Sequence, residues 1–221
     1  MNELQNLRAS LLDKVNYDVN EARKCFNFIV GEDSCKAQRV DSINPKDYAD
    51  GVYICYNDGH NELYDGNNPK DDVRGIGLVV GSHSLCVSLE DIDDTTLTNR
   101  DGESGYDKYI SDRGLARMDY DGAENTKHIQ EIGTDIKLAD GEYIPSLGEL
   151  YLIYLHKYEI NKALSYVYGK QIADELYWSS TEYSATHARY LTFSYGSQNL
   201  LNKSAYQCRV RPVSAFTAST L

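Results

Sequence analysis

Strand-like alternation of apolar and polar positions is clearest in the first half of the chain. In GVYICYNDG the apolar side chains alternate between two faces from Val52 to Tyr56, and Asn-Asp-Gly then ends the segment as a turn. The stretch GIGLVVGSHSLCVSLED predicts two further strands, over 76–80 and 85–89, around a polar turn at 81–84. These segments predict three strands separated by turn residues.

Helical spacing of apolar residues follows later in the chain. Ser146 and Glu149 have the S-x-x-E spacing of a capping box, and the sequence ELYLIYLHKY that follows predicts a largely buried helix. A second short helix is predicted over 159–168, with Gly169 as the residue that ends it in a left-handed conformation.

The N-terminal region predicts a helix of its own. Residues 2–24 lack Pro and Gly, and leucines repeat at helical spacing from Leu4 to Leu11. This segment is either a short coiled coil that would join copies of the chain into a homo-oligomer or a helix docked on its own domain. We therefore expect an N-terminal helix within 1–29 and one domain over 30–221.

The remaining segments are polar. Residues 91–122 contain repeated Gly and Asp and predict a long irregular insertion, followed by a helix over 123–132 with Asn125 or Thr126 near its start. The Tyr- and Thr-rich region near the C-terminus predicts short strands and exposed loops, ending in a strand at Arg209-Val210-Arg211.

Composition and charge narrow the class of partner. The 221 residues include 19 Tyr but only 4 Phe and 1 Trp, and Tyr favours half-buried positions and interfaces, although a β-rich fold would also favour it. The net charge is -12, and basic residues outnumber acidic ones only from Glu182 onward. Such an acidic chain would be repelled by nucleic acid and by anionic membranes, so we expect neither as a partner.

The cysteines indicate thiols rather than a disulfide scaffold or a zinc site. They are dispersed, odd in number and free of C-x-x-C spacing, and they are Cys25, Cys35, Cys55, Cys86 and Cys208. We expect them to be reduced and mostly buried. The sequence also contains no secretory signal pattern and no apolar run long enough to span a membrane, which favours synthesis and folding in a cytoplasm.

Motifs for catalysis and for cofactor or metal binding are missing from the sequence. GIGLVVG differs from the G-x-G-x-x-G fingerprint, the histidines lack H-E-x-x-H spacing, and the Asp-rich segments do not match a calcium loop. The tripeptide Ser82-His83-Ser84 fits a tight turn better than a nucleophilic site. We therefore expect a binding protein with no cofactor, no metal ion and no enzymatic activity.

The segment 177–212 is the candidate functional region. It begins at the only Trp, Trp178, and ends in Arg-Val-Arg-Pro, and the residues between are Tyr, Ser, Thr, Asn, His, Leu and Ala with little hydrophobic period. Tyrosine mixed with small polar residues is the composition of antibody paratopes. The region therefore predicts a surface that contacts a partner.

Three motifs carry a resemblance to a known family. IPSLGELYLIYL, YWSSTEYSAT and the closing RVRPV resemble the C-type-lectin-fold variable proteins of diversity-generating retroelements in gut bacteria and their phages, which include phage tropism determinants. The resemblance is specific over about 143–216, extends plausibly over 50–90 and does not include the N-terminal helix. It implies an α+β, C-type-lectin-like fold, in which two helices pack on short twisted antiparallel sheets.

In that family a reverse transcriptase copies a template repeat, mutates its adenines and replaces the 3′ end of the gene. The resemblance implies a variable region over about 183–208 on one exposed face. The residues that it assigns to a constant frame are Trp178, Phe193, Gly196, Arg209, Val210 and Arg211. Those that it assigns to ligand binding are His187, Arg189, Tyr190, Thr192, Ser194, Tyr195, Ser197, Leu200, Leu201, Ser204, Ala205, Tyr206 and Cys208.

The resemblance implies a protein that binds a protein or glycan receptor on a target cell, as the tail-tip protein of a phage virion or on a bacterial surface. The tyrosines and Arg189 would be its anchors. The calcium-dependent sugar site of true lectins is not expected, because Glu-Pro-Asn and Gln-Pro-Asp are absent. Two alternatives remain open: a fixed surface adhesin or fibre subunit, and an enzyme related to the formylglycine-generating enzymes, which would require Cys208 to be reactive.

Overall fold

The computed structural model describes residues 48–100 and 108–216. All of these residues belong to one compact unit, Ser42–Leu221. The helix predicted within 1–29, and with it the coiled-coil and docked-helix alternatives, lies outside the described residues. Cys25 and Cys35 lie outside them as well.

Strands dominate the described residues, and the four helices described there all lie between the fifth and the seventh strand in chain order.

The strands are β1 (Gly51–Tyr56), β2 (Asn61–Leu63), β3 (Val73–Val80), β4 (His83–Ser88), β5 (Ile92–Thr95), β6 (Glu142–Tyr143), β7 (Leu176–Glu182), β8 (His187–Thr192), β9 (Ser197–Asn202), β10 (Cys208–Val210) and β11 (Val213–Ser214). The helices are α1 (Arg113–Ala116), α2 (Gly122–Ile132), α3 (Leu147–Leu155) and α4 (Lys157–Tyr166).

The strands form two sheets. The first has the order β2-β1-β3-β4-β11-β6, and the second has the order β5-β10-β7-β8-β9. Neighbouring strands are antiparallel except β7 and β10, which are parallel. Helices and antiparallel sheets together confirm the α+β class.

Of the three hydrophobic clusters in the described residues, two join the sheets to the helices, and the third lies on the first sheet around Cys55 and Phe216. In the larger cluster, Ile54 and Ile76 of the first sheet pack with Leu150 of α3, Ile160 of α4 and Leu191 of β8. The smaller cluster lies on the other face of the second sheet, where α2 covers Trp178 and its neighbours. The second sheet is therefore packed on both faces, because successive residues of a strand point to opposite sides.

The predicted strands all form, with shifted ends. β3 begins at Val73 and β4 at His83, so the turn between them is shorter than the predicted 81–84. His83 pairs directly with Val80, which leaves Gly81 and Ser82 as the turn, and Gly81 has a φ of 61°. The glycine permits this conformation at little cost.

The end of α4 differs from the prediction in which residue has the left-handed backbone conformation. Tyr168, with a φ of 63°, takes the left-handed position that was expected for Gly169. The Gly169 N–H bonds to the Leu164 carbonyl at 2.8 Å, which is the hydrogen bond of a Schellman motif. A Cβ on Gly169 would lie 3.1 Å from Leu164 and 3.2 Å from the Leu89 carbonyl. The glycine is needed there for close packing rather than for its backbone angle.

Two other predictions near the insertion need correction. Helix α2 begins after Asp121, so Asn125 and Thr126 lie inside it, where both are buried. Thr126 Oγ1 accepts the Ile144 N–H at 2.9 Å, so its hydroxyl joins α2 to the short segment between β6 and α3. The insertion over 91–122 is also less irregular than predicted, because its described part contains β5 and α1.

The capping box at the start of α3 is confirmed, and it lies in a buried polar cluster. Glu149 Oε2 accepts the Ser146 N–H at 2.7 Å, and Glu149 Oε1 accepts the Tyr143 hydroxyl at 2.9 Å. Asp119 Oδ2 accepts the Thr181 hydroxyl at 2.6 Å, and Thr181 Oγ1 in turn accepts the Leu147 N–H at 2.8 Å. These bonds join the residues before α2 and α3 to the middle of the second sheet.

Glu149 is the titratable group whose surroundings have the clearest consequence for stability. Burial raises its pKa from 4.5 to about 7, although the hydrogen bonds from Ser146 and Tyr143 favour the charged form. The folded protein therefore binds this proton more tightly than the unfolded chain does. The resulting stabilisation is complete below a pH of about 4.5 and is lost as the pH rises through about 7.

We predict that Glu149→Gln removes a proton-linked slope from the stability of the wild-type protein. In the wild type this group lowers the free energy of unfolding by up to about 1.4 kcal/mol per pH unit as the pH rises from 5 to 8. Urea denaturation at several pH values in this range measures the slope. The control is Glu159→Gln on the exposed side of α4, which should keep it. Equal slopes in Glu149→Gln and the wild type would contradict the prediction.

Candidate binding surface

The hairpin of β8 and β9 carries most of the residues that the sequence assigns to ligand binding. β8 pairs with β7 on one side and with β9 on the other, and β9 is the edge of the second sheet. The turn between them contains Gly196, which has a φ of 68° and would place a Cβ 2.4 Å from the Tyr154 ring. Tyr151 donates its hydroxyl to the Gly196 carbonyl at 3.1 Å. The turn is thus held against α3, in agreement with a frame role for Gly196.

Other predicted frame residues lie in the core. Trp178 is fully buried, and its indole N–H bonds to the Thr95 carbonyl at 2.8 Å. Arg211 is also fully buried, with Nε 2.6 Å from Asp91 Oδ1. Phe193 and Val210 are buried in the two hydrophobic clusters. These four side chains have the burial expected of constant positions.

The thirteen predicted ligand-binding residues fall into three groups by exposure. Four are exposed, namely Ser194, Tyr195, Ala205 and Tyr206. Six are partly exposed, namely His187, Tyr190, Ser197, Leu200, Leu201 and Ser204. Three are buried, namely Arg189, Thr192 and Cys208.

Arg189 was expected to anchor a partner, and an anchor must be exposed so that the partner can contact it. Its side chain is 4% exposed, and its guanidinium donates to the carbonyls of Ile110 at 3.0 Å and Ser111 at 2.8 Å. A further bond at 3.1 Å joins it to the side chain of Gln198 on β9. Arg189 therefore fastens the hairpin to the segment before α1. The expectation that Arg189 lies exposed on the binding face is therefore wrong.

Thr192 and Cys208 are the other two residues expected on the surface and found inside. Thr192 is the last residue of β8 and is paired with Ser197 next to the turn. Cys208 packs in the smaller hydrophobic cluster, and burial raises the pKa of its thiol to about 12. Such a thiol is a poor nucleophile at neutral pH. The three described cysteines, Cys55, Cys86 and Cys208, are free and buried, as expected.

The expectation of one common exposed face is also wrong. Strand residues alternate between two faces, and the hairpin is two strands wide. Tyr190 and Leu201 pack against the smaller hydrophobic cluster, whereas Leu200 pairs across from Arg189 on the opposite face. The large exposed side chains of this set are Tyr195, in the turn, and Tyr206, in the loop after β9. The accessible contacts therefore lie at the turn and the loop rather than along the strands.

The outer edge of β9 is protected against pairing with another strand. The Gln198 carbonyl accepts a hydrogen bond from Arg113 at 3.1 Å, and the Leu200 N–H bonds to the side chain of Asn199 at 2.9 Å. The Asn202 carbonyl accepts the Tyr206 N–H at 3.2 Å. An edge whose backbone groups already have partners is a poor template for strand addition.

A buried ion pair beneath the hairpin was not anticipated from the sequence. Lys203 Nζ contacts Glu182 Oε1, and both side chains are almost completely buried. His128 of α2 places Nε2 3.2 Å from Glu182 Oε2, and burial lowers the pKa of this histidine. Burial raises the pKa of Glu182, and the adjacent Lys203 opposes that shift. The pair joins the end of β7 to the residue after β9.

A groove beside the hairpin was missed as well. It has a volume of about 720 Å³ and lies along the end of α3 and the outer side of α4. The residues that line it are Tyr154, Leu155, Lys157, Tyr158, Asn161, Lys162, Ser165 and Gln171. Because Tyr154 also packs against Gly196, the groove adjoins the hairpin turn. Helical periodicity predicts that Tyr158 and Lys162 face solvent. It does not show that they line a groove.

Neither a metal-binding cluster nor a membrane-spanning helix is found in the part of the chain that the structure describes. Over 48–100 and 108–216, no three His, Cys, Asp or Glu side chains converge in a way that could hold a metal ion. No helix in these ranges is both long enough and apolar enough to cross a bilayer.

Comparison with known proteins gives a likeness of fold. No family model matches the chain, and no curated protein matches it either. Among solved structures, a fimbrial protein from Bacteroides ovatus is similar, with a TM-score of 0.54 and 18% sequence identity. The similarity covers 76% of this chain and 49% of the fimbrial protein. The chain thus spans about half the length of that protein and resembles it in fold.

We predict that Lys203→Met strongly destabilises the protein, because it leaves the Glu182 carboxylate buried without its partner. The expected loss is about 3–5 kcal/mol in the free energy of unfolding, measured by urea denaturation. The double variant Lys203→Met with Glu182→Leu should recover most of it. Lys127→Met, which breaks the exposed pair with Glu124, should cost no more than about 1 kcal/mol. A mild loss in Lys203→Met would show that the buried pair is not required.

Proposed function

We propose that this chain is an adhesin or fibre subunit of a bacterial surface, which binds a protein or glycan receptor without covalent chemistry. The observation that carries the proposal is the fold shared with a fimbrial protein over 76% of this chain. The buried, weakly acidic thiol of Cys208 supports a binding role over the formylglycine-type enzyme alternative, which needs a reactive cysteine.

The contact surface proposed for this role is formed by the two ends of the β8–β9 hairpin, where the turn displays Tyr195 and the loop after β9 displays Tyr206. Their side chains are 70% and 55% exposed, and the backbone beneath them is held by the Gly196 packing and the Lys203–Glu182 pair. A tyrosine offers a large amphipathic contact area and has few rotatable bonds to immobilise. A rigid support lowers the entropy lost on binding further.

The blocked edge of β9 bears on how such a subunit would act. Strand addition at this edge would first have to displace the hydrogen bonds from Arg113, Asn199 and Tyr206. Recognition through side chains at the turn and the loop requires no such rearrangement. We therefore assign receptor contact, rather than subunit pairing, to the turn and the loop of this hairpin.

We predict that Tyr195→Ala together with Tyr206→Ala lowers adhesion about tenfold while the fold is retained, because two exposed aromatic anchors are removed. The measurement is the attachment of beads coated with the full chain to panels of bacterial and epithelial cells, with circular dichroism to check folding. Leu63→Ala, at an exposed apolar position on the first sheet, is the control. Attachment that is unchanged in the double tyrosine variant, or absent from the wild type on every cell tested, would contradict the proposal.

A second candidate is the diversified display protein of a retroelement, including the tail-tip protein of a phage, with a C-type-lectin-like fold. It is favoured by the contrast between variable and constant positions. Ten of the thirteen predicted variable residues reach solvent, whereas Trp178, Phe193, Val210 and Arg211 are buried. Substitution at the solvent-accessible positions would disturb the core little. Arg189, Thr192 and Cys208 are removed from the set that could vary freely.

The gene locus separates the two candidates. A diversified protein predicts an adenine-rich near-copy of the 3′ end of the gene beside a reverse transcriptase gene, and differences between the copies should fall on codons for solvent-accessible residues. Sequencing of the intact locus is the test. If the repeat is absent, the retroelement candidate is rejected and the fixed adhesin or fibre subunit remains.

A further inference from the structure

The groove along α3 and α4 combines aromatic surface with positive charge. The large side chains of Tyr158 and Leu155 are 73% and 68% exposed. The ammonium group of Lys162 lies 5.9 Å from the centre of the Tyr158 ring. A flat ring for stacking and a cation for pairing are therefore presented side by side.

Neighbouring contacts hold the polar side chains of the groove in place. Asn161 donates to the Ile172 carbonyl at 3.1 Å and accepts the Ile172 N–H at 2.8 Å. Gln171 donates to the Ser165 hydroxyl oxygen. These bonds fix the side chains before any ligand arrives, which lowers the ordering cost of binding.

The hydrogen-bonding capacity left over is mainly that of donors. One amide N–H of Asn161 and the hydroxyl hydrogen of Ser165 are not used in those bonds, and a lysine ammonium has only donors to offer. Lys157 bonds to Asp174, which is outside the groove lining, so Lys162 is the better placed cation. Among the described residues, none of those that line the groove is acidic. A groove that offers donors and has no acidic lining residue fits a ligand with anionic oxygens.

We propose that this groove binds an acidic saccharide, a sugar unit that carries a carboxylate or sulfate group. The Tyr158 ring would contact the C–H face of the sugar, Lys162 would pair with the acidic group, and Asn161 and Ser165 would donate to its oxygens. The volume of about 720 Å³ suits a short oligosaccharide rather than a protein surface. The inference does not depend on the proposed adhesive role of Tyr195 and Tyr206.

The test titrates the full chain with trigalacturonate, with maltotriose as a neutral saccharide and with hexaglutamate as an acidic peptide. Isothermal calorimetry measures affinity, and amide NMR shifts locate the site. Trigalacturonate should bind and shift amides of α4, and its affinity should fall about tenfold in Lys162→Gln and in Tyr158→Ala. The controls Lys127→Gln and Leu63→Ala, both at exposed positions outside the groove, should bind as the wild type does.

Several results would overturn the inference. One is that trigalacturonate does not bind, and another is that maltotriose or hexaglutamate binds as tightly as trigalacturonate. A third is that Lys162→Gln binds trigalacturonate with the affinity of the wild type. The outcome is independent of the adhesion assay. If the double tyrosine variant loses adhesion but the wild type does not bind trigalacturonate, only the groove proposal is rejected. If the wild type binds trigalacturonate but the double tyrosine variant keeps its adhesion, only the adhesive role of the tyrosines is rejected.

Discussion

The start of α3 depends on one buried polar cluster, and much of the described fold depends on the start of α3. Asp119, Ser146, Glu149 and Thr181 hydrogen-bond one another inside the protein, where water is not available to replace a lost partner. Buried polar groups are costly unless all are satisfied, so the cluster tolerates few alternative arrangements. It thereby sets where α3 begins relative to β7, and β7 is the central strand of the second sheet.

The hairpin of β8 and β9 is positioned by its contacts with β7 and α3. β8 is built on β7, the turn is held against α3 through Gly196, and the buried Lys203–Glu182 pair joins the far end to β7 again. Support at both ends leaves the turn and the following loop free to carry exposed side chains on a fixed backbone. That is a favourable arrangement for recognition, because the scaffold is ordered before the partner arrives.

The same geometry separates two kinds of polar residue that look alike in the sequence. Arg189 and Lys203 occur in a Tyr- and Ser-rich segment, where charged side chains are normally expected to face solvent. Both are buried because partners are available inside: backbone carbonyls for the arginine and a carboxylate for the lysine. Lys162, which lies on a regular helix, is exposed beside a groove. Whether each of these charged side chains is buried thus depends on the partners that the fold places near it, and not on its residue type.

Local chemistry in the sequence determined the local structure. The capping box at Ser146, the alternation from Val52 to Tyr56 and the turn at Gly81 each depend on neighbours within a few residues, and each forms as predicted or with a small shift of its ends. The burial of Trp178 and Arg211 agrees with the frame that the resemblance implied.

Tertiary structure alone decided which residues meet across the fold. The Arg189 contacts with 110–112 and the Lys203–Glu182 pair join parts of the chain whose approach no periodicity encodes. The position of Tyr168 at the end of α4 was decided by packing around Gly169. Alternation and helical spacing report which face of an element is apolar, whereas partners for a buried charge come from whichever elements the folded chain places opposite it.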